Sequence, residues 1–287
     1  MHFPELFRRC GALALFAALA LPATADDEFG LWGDIAGEHN FSKQFSTTFS
    51  VGARANDNLG SVSRIDFGVG AKYKLNKNLS FGAGYTFIEQ HRLRRVKTKA
   101  ETYSAIDSDG NVYTESEVYG YNVSESFWRP KHRVYIEAQG KVDVDRFTFA
   151  LRERYQFTRF GKKTYNQYKY RDDAAESADY YFDGSDTYYL SSTDVDTANA
   201  RSTHYLRSRI GVDYDIAHCK VDPFASFEFF NNLSDGFHLD KWRLTIGADW
   251  KICKGHTLTA AYVYTHGSEG DDDPNLHAVS IGYKFKF

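Results

Sequence analysis

Segments in which apolar and polar residues alternate with a period of two constrain the fold of this chain more than any other feature. Between residues 62 and 75, an apolar series from Ile65 to Leu75 alternates with a series that begins at Arg64 and contains charged residues and glycines. Successive side chains of a β-strand point to opposite faces. A strand of about ten residues can also cross a bilayer at a tilt. The pattern therefore predicts membrane-spanning strands with an apolar outer face and a polar inner face.

The same alternation recurs along the chain, and the connections between strands alternate in length. This asymmetry is typical of an all-β, antiparallel, up-and-down transmembrane β-barrel with short periplasmic turns and long extracellular loops. Both ends of such a barrel are expected on the periplasmic side, which requires an even number of strands, so we expect twelve strands with ten as the alternative. The alternation itself predicts eleven strands, near 29–41, 44–56, 62–75, 79–87, 130–142, 145–158, 203–217, 220–231, 239–252, 256–266 and 276–287. The longer loops are 57–61, 90–129, 159–202, 232–238 and 267–275.

The first 25 residues have the layout of a secretory signal peptide. Arg8 and Arg9 supply positive charge, residues 11–21 form an apolar run too short to span a bilayer, and Ala23-Thr24-Ala25 is a small-x-small cleavage site. We therefore expect residues 26–287 to form a barrel that is exported to the bacterial outer membrane and contacts its lipid.

Composition and cysteine usage exclude several classes of protein. The net charge of −3 gives no general case for nucleic-acid binding. Cys10 lies in the predicted signal, and Cys219 and Cys253 fall at turns on the same side of the barrel. They form either a disulfide or two isolated thiols. The cysteines have no metal-ligand spacing, and no cofactor is expected.

The inward positions of the predicted strands carry many charged groups. A charge on the lipid face would cost about 2–4 kcal/mol at the midplane, so these groups belong inside. The arginines could form a basic ring that binds a small anionic solute, or could pair with acids and leave a narrow or plugged lumen, which the small bore favours. The inward cations are Arg54, Arg64, Arg133, Arg152, Arg154, Arg207, Arg209 and Arg243, and the inward acids include Asp66, Glu137, Asp213, Asp215, Glu228 and Asp249.

Two further features have competing interpretations. Loop 159–202 is rich in Tyr and Asp, which can bind a surface glycan or a cation, but the same residues make a β-hairpin that turns at Asp183-Gly184-Ser185. Glu153 falls on the outer face of its strand. A β-bulge that shifts the register there is the favoured explanation.

A catalytic alternative rests on His266-Gly267-Ser268, with Asn275 nearby. This order resembles the His-x-Ser pair of outer-membrane lipid hydrolases and would make His266 the base and Ser268 the nucleophile. Ser268 lies in a Gly-rich acidic loop, however, and His266 continues the line of Tyr262 and Tyr264 as in an interfacial aromatic girdle. The sequence therefore favours a protein without catalysis.

The last strand, which ends on Phe287, resembles the C-terminal strand of bacterial outer-membrane proteins, and the resemblance implies recognition by the barrel-assembly machinery. The chain also resembles a family of small uncharacterised outer-membrane barrels, a domain-of-unknown-function family. That family carries no assigned activity, so the resemblance implies a fold and no mechanism. It rests on Gly30-Leu31-Trp32, Arg54, Gly82-Ala83-Gly84-Tyr85, the segment from Pro223 to Phe230, and the last strand.

The sequence therefore leaves three functional hypotheses. The first is a barrel that forms a narrow pore or binds small solutes or anions. The second is a surface-binding protein that uses loops 90–129 and 159–202. The third is a lipid hydrolase that uses His266 and Ser268.

Overall fold

A computed structural model describes residues 27–56, 58–106, 108–109, 111–267 and 275–287. The predicted signal peptide and Ser268 lie outside this part of the chain. No helix among the described residues is long and apolar enough to cross a membrane. The strands are β1 (Glu28–Asn40), β2 (Phe45–Asn56), β3 (Ser61–Lys74), β4 (Leu79–Arg92), β5 (Arg95–Ile106), β6 (Val112–Ser124), β7 (Phe127–Val144), β8 (Phe147–Phe160), β9 (Lys163–Arg171), β10 (Tyr180–Phe182), β11 (Thr187–Ala198), β12 (Arg201–Tyr214), β13 (Val221–Asn232), β14 (His238–Cys253), β15 (His256–Gly267) and β16 (Leu276–Lys286).

Eleven of these strands close into a barrel, which confirms the predicted fold class. Their order around the barrel is β1-β16-β15-β14-β13-β12-β8-β7-β4-β3-β2. Within the described residues the barrel therefore has eleven strands, rather than the expected twelve or ten. An odd number can close because β1 and β16 pair in parallel, from Glu28 opposite Leu276 to Glu38 opposite Lys286. The first strand thus begins beside the start of the last one, at the end of the barrel that carries the longer loops.

The outer face of the barrel is an apolar band. Many of its large side chains are more than 40 % exposed, which is far more apolar surface than a water-soluble monomer presents. Together with the strand lengths, the band makes this a transmembrane barrel. Members of the band include Ile35, Phe49, Phe67, Ile136, Leu151, Ile210 and Ile281.

Glu153 breaks this band without a bulge. The β7–β8 register runs unshifted from Lys131 opposite Phe160 to Val144 opposite Phe147, so the predicted bulge is wrong. Glu153 instead stays on the outer face and accepts a hydrogen bond of 2.7 Å from the Ser208 hydroxyl on the neighbouring strand.

Cys219 and Cys253 are free thiols. β13 and β14 pair with Val221 opposite Trp250, and continuing that register places Cys219 opposite Ile252. The two thiols are therefore offset by one residue. Because successive side chains of a strand point to opposite faces, the two cysteines are not aligned for a disulfide.

The two longest predicted loops form a second compact unit, residues 91–129 and 161–201. It contains a five-stranded sheet in the order β10-β11-β9-β6-β5. Tyr121, Val123, Tyr170 and Tyr188 form its buried core. Two of the strands, β10 and β11, are joined by the predicted turn at Asp183. The backbone N–H of Asp183 donates to the carbonyl of Asp186 at 3.2 Å.

Candidate functional site

A buried ion-pair cluster occupies the inner face of β8, β12 and β13. Glu228 is 4 % exposed and accepts hydrogen bonds from Arg152 and from Arg207, the latter at 2.9 Å. Since β12 lies between β8 and β13, the Arg152–Glu228 contact reaches over the inner surface of the barrel rather than between adjacent strands. Alternation along the three strands therefore brings predicted lumen residues together.

A second carboxylate extends the cluster onto β7. Glu137 accepts two hydrogen bonds from Arg154, at 2.5 and 2.8 Å, and lies 3.9 Å from the Nε of Arg152. The Arg154 guanidinium also lies 4.0 Å from the centre of the Tyr135 ring, a cation–π distance. Tyr135 can lie against the inner wall because β4 presents Gly84 there: a Cβ at that position would be 2.5 Å from the Tyr135 ring.

Aromatic rings extend the arrangement from β13 and β14 to β1 and β2. The Phe230 ring lies 4.4 Å from the Arg207 guanidinium carbon and 5.2 Å from that of Arg243. The Arg243 guanidinium carbon in turn lies 5.0 Å from the centre of the Trp32 ring, and the Arg54 guanidinium carbon lies 4.0 Å from the centre of the same ring. We call the resulting set the lumen belt: Trp32, Arg54, Tyr135, Glu137, Arg152, Arg154, Arg207, Glu228, Phe230 and Arg243.

Side chains fill the lumen at the level of the belt. Trp32 is 5 % exposed, and Arg152 is 8 % exposed. Trp32 packs against the buried Ala278 and Val263 on β16 and β15, the next two strands of the wall. Water therefore has little access at this level. The sequence left two alternatives, a basic ring and arginines paired with acids, and the belt combines them, because it contains ion pairs and an excess of arginine.

A cavity of about 210 Å³ lies beside the belt. Its lining includes Arg152, Arg209, Asp213 and Asp249. The Arg209 guanidinium makes no hydrogen bond or ion pair with the described residues, although its strand register places Arg209 opposite Glu228. The buried Nε atoms of Arg152 and Arg207 also have no hydrogen-bond acceptor in the described part of the chain.

The remaining predicted lumen residues lie around the cluster rather than in it. Arg64 donates a hydrogen bond of 2.7 Å to Asp66 on its own strand. The Arg133 guanidinium donates to the Thr158 hydroxyl at 3.3 Å. Sequence reasoning missed Trp32, Tyr135 and Phe230, although the period of two places all three on the inner face beside the arginines.

The candidate catalytic residues are not brought into a catalytic arrangement within the described chain. The His266 ring lies 5.4 Å from the Trp242 ring, which fits the girdle interpretation. The Asn275 amide donates to Asp27 at 3.1 Å. Ser268 lies outside the described residues, so its position relative to His266 stays a prediction.

Comparison with known proteins places the chain in a family. A family model described as "Protein of unknown function (DUF2490)" matches residues 29–275. The chain belongs to this family. No curated protein matches it.

This DUF2490 member is also similar to solved structures of membrane barrels. The β-domain of the Bordetella autotransporter BrkA is 13 % identical, with 86 % of this chain and 85 % of that chain covered and a TM-score of 0.46. The NanC porin is 11 % identical, with 90 % and 99 % covered and a TM-score of 0.44. OmpT, an outer membrane protein of Vibrio cholerae, is 9 % identical, with 89 % and 99 % covered and a TM-score of 0.21.

The second unit of this DUF2490 chain holds an aromatic–carboxylate cluster at the Asp183 turn. The backbone N–H groups of Asp186 and Ser185 and the Tyr121 hydroxyl all donate to the Asp183 carboxylate and lower its pKa to about 2. Burial and the neighbouring Asp183 raise the pKa of Tyr121 to about 12. The cluster therefore keeps a carboxylate ionised and a phenol neutral in the ordinary pH range.

We expect the Asp183 carboxyl group to titrate near pH 2 instead of its ordinary 3.8. Because its pKa is lower in the folded state, the carboxylate stabilises the sheet fully above about pH 4, and the stabilisation is lost as the pH falls toward 2. Carboxyl-carbon NMR of the full-length protein measures the titration directly. Replacing Tyr121 by phenylalanine removes one donor and should move the pKa upward. Titration of Asp183 at its ordinary value would contradict the assigned hydrogen bonds.

Proposed function

We propose that this protein is a non-catalytic outer-membrane barrel whose narrow lumen binds small anions at the lumen belt. The observation that carries the proposal is an imbalance of charge. Glu228 lies opposite both Arg209 and Arg243 in the strand registers, yet its two oxygens are taken by Arg152 and Arg207. The Arg209 guanidinium makes no ion pair with the described residues, and guanidinium binds carboxylate, phosphate and similar anions well.

The buried N–H donors support the same conclusion. A buried donor without an acceptor costs about 1–3 kcal/mol, so buried donors are normally paired. The Nε atoms of Arg152 and Arg207 lack acceptors among the described residues, and Arg209 lines the adjacent cavity. An anion of the size of phosphate in that cavity would be a suitable acceptor for these groups.

The proposed location and partners follow from the barrel and from the chain ends. The apolar band requires a lipid environment, and the predicted signal peptide supports export to the outer membrane. The last residue, Phe287, donates its backbone N–H to the Glu38 carbonyl on β1 at 3.0 Å. The aromatic C-terminal strand is thus part of the closing seam, which supports its proposed recognition by the barrel-assembly machinery.

Inorganic phosphate provides the test. We expect phosphate to raise the thermal unfolding midpoint of the detergent-solubilised protein above that in matched chloride, because binding to the folded state stabilises it. Arg209→Gln should reduce this effect. In planar bilayers, the same variant should shift the reversal potential of any open state toward cation selectivity, because it removes a positive charge from the lumen wall.

Arg146→Gln is the matched control, because Arg146 lies in the exposed short turn between β7 and β8 and should leave both measurements unchanged. The lumen proposal is wrong if phosphate has no stabilising effect beyond that of chloride. It is also wrong if Arg209→Gln responds to phosphate as the original protein does.

A specific cavity favours a second candidate function for the second unit. A cavity of about 390 Å³ is lined by Tyr180, Phe182, Tyr189 and Glu176. The Tyr180 and Phe182 side chains are more than half exposed. Exposed aromatic rings beside a carboxylate would suit a glycan, so this unit is proposed as a surface-binding element. Glycan-array binding that disappears in Tyr180→Ala would support it, and an array without such binding would remove it.

A further inference from the structure

Within the part of the chain that the structure describes, a three-part aromatic unit occurs three times on the outer face of the barrel. In each copy, a tyrosine hydroxyl on one strand meets the Nδ1 atom of a histidine on the neighbouring strand. The distances are 2.7 Å for Tyr85 and His132, 2.6 Å for Tyr155 and His204, and 2.5 Å for Tyr262 and His277. A second ring, two residues after each tyrosine, lies about 5 Å from the same imidazole: Phe87, Phe157 and Tyr264.

A tyrosine hydroxyl that donates to Nδ1 leaves the other nitrogen of the imidazole as a donor. In that arrangement the proton of a neutral imidazole resides on Nε2, and a charged imidazole carries a proton there as well. In the third copy the structure shows what this donor binds: Nε2 of His277 lies 3.1 Å from a carboxylate oxygen of Asp27. The Nε2 atoms of His132 and His204 have no hydrogen-bond partner among the described residues.

An arginine lies between these two histidines. Arg159 on β8 is opposite His132 on β7. Its guanidinium donates to the hydroxyl of Ser202 on β12 at 3.2 Å, two residues before His204. Ser202 and His204 share the outer face because they are separated by two positions on one strand. His132, Arg159 and His204 therefore form one cationic, donor-rich surface, which we call the outer His–Arg patch.

The patch lies at the end of the apolar band that carries the longer loops. Along β7, the outer face continues from His132 to Val134 and Ile136, which are 45 % and 62 % exposed. The patch is thus placed where hydrocarbon gives way to headgroups, the level at which aromatic rings with polar edges concentrate. A ligand at this level has its acyl chains on the apolar band and its polar group on the patch.

We propose that the outer His–Arg patch binds the phosphate groups of lipid A, the phosphorylated glycolipid of the outer leaflet. The patch supplies two imidazole N–H donors and a guanidinium, and an anionic oxygen already satisfies the matching donor in the third copy. Phosphate oxygens complement this set in charge and in hydrogen-bond capacity. The assignment rests on the outer-membrane location in the proposed function, but not on anion binding in the lumen.

The test compares binding of bisphosphorylated lipid A with binding of the same lipid after phosphatase treatment, measured by native mass spectrometry of the full-length protein in detergent. We expect the original protein to prefer the phosphorylated lipid by at least about tenfold, which corresponds to about one charge-assisted hydrogen bond. His132→Phe/Arg159→Gln/His204→Phe should lose the preference, since phenylalanine keeps the ring and removes the donor.

Two controls separate this proposal from the others. His256→Phe alters a fourth Tyr–His pair, formed with Tyr283 at the short-turn end of the barrel, and should keep the preference. Arg209→Gln should also keep it, so a failure of lumen anion binding does not affect the result. Heat-modifiable migration on a gel verifies that each variant is folded.

Three results would overturn the lipid A assignment. The original protein could bind both forms of the lipid equally, the triple variant could keep the preference, or phosphatidylglycerol could compete as well as lipid A does. Retention of phosphate-dependent stabilisation of the lumen in the triple variant would show that only the patch proposal had failed.

Discussion

Replacing Glu228 by alanine is expected to lower the free energy of unfolding of the barrel by about 3–5 kcal/mol, because removing one partner from a buried ion pair leaves charge unpaired. Glu228 is 4 % exposed and forms ion pairs with both Arg152 and Arg207, so the substitution removes an anionic partner from two guanidinium groups at once. Urea unfolding in lipid vesicles, followed by tryptophan fluorescence, measures the loss. We also expect phosphate to restore part of the stability of Glu228→Ala, since it can replace the missing carboxylate.

The matched control is the exposed ion pair between Lys169 and Asp194. Their side chains are 33 % and 48 % exposed, and removal of such a pair costs about 1 kcal/mol or less. If Glu228→Ala lowers the free energy of unfolding no more than Asp194→Asn does, the belt is solvated in the membrane and its ion pairs do not stabilise the barrel.

Replacing Gly84 by alanine is expected to destabilise the barrel by about 1–3 kcal/mol through overpacking. A Cβ at this position would lie 2.5 Å from the Tyr135 ring, and the ring cannot move freely because the Arg154 guanidinium lies over it at 4.0 Å. The same urea titration measures the effect. Gly140→Ala is the matched control, because a Cβ at Gly140 meets nothing within 4 Å.

A double-variant experiment identifies the ring as the cause. If Tyr135 creates the conflict, Gly84→Ala should cost little in a protein that already carries Tyr135→Ala, so the two effects should not add. Fully additive effects would show that Gly84 is required for another reason, such as the geometry of its own strand.

The alternation of residues predicted all eleven barrel strands and the inner position of the arginines, because a period of two follows directly from strand geometry. It could not predict which arginine meets which glutamate. The Arg152–Glu228 contact depends on how β8 aligns with β12 after a connection of forty residues, which contributes one of the two segments of the second unit. Neither loop composition nor periodicity determines that alignment.

The strand number, predicted as about twelve, is eleven among the described residues, and the difference has a separate physical reason. The expectation of an even number assumed that the first and last strands are antiparallel, as in most single-chain bacterial barrels. Nothing in the residues from Glu28 to Asn40 distinguishes a parallel neighbour from an antiparallel one, because both directions present the same alternating faces. The β-hairpin at Asp183 was predicted within loop 159–202. The other strands of the second sheet were not, because they are polar and exposed, as in β5.

The parallel seam between β1 and β16 also determines when the barrel can be completed. It joins positions at opposite ends of the chain: Asp27 and Asn275, which are hydrogen-bonded at its margin, are 248 positions apart. Contacts of such high sequence separation carry the greatest loop-closure entropy and tend to form late. Until then, a growing barrel has two open strand edges that can pair with other chains. The same two edges are where an assembly factor could hold an incomplete barrel, and a chain that lacks either strand would remain an open sheet.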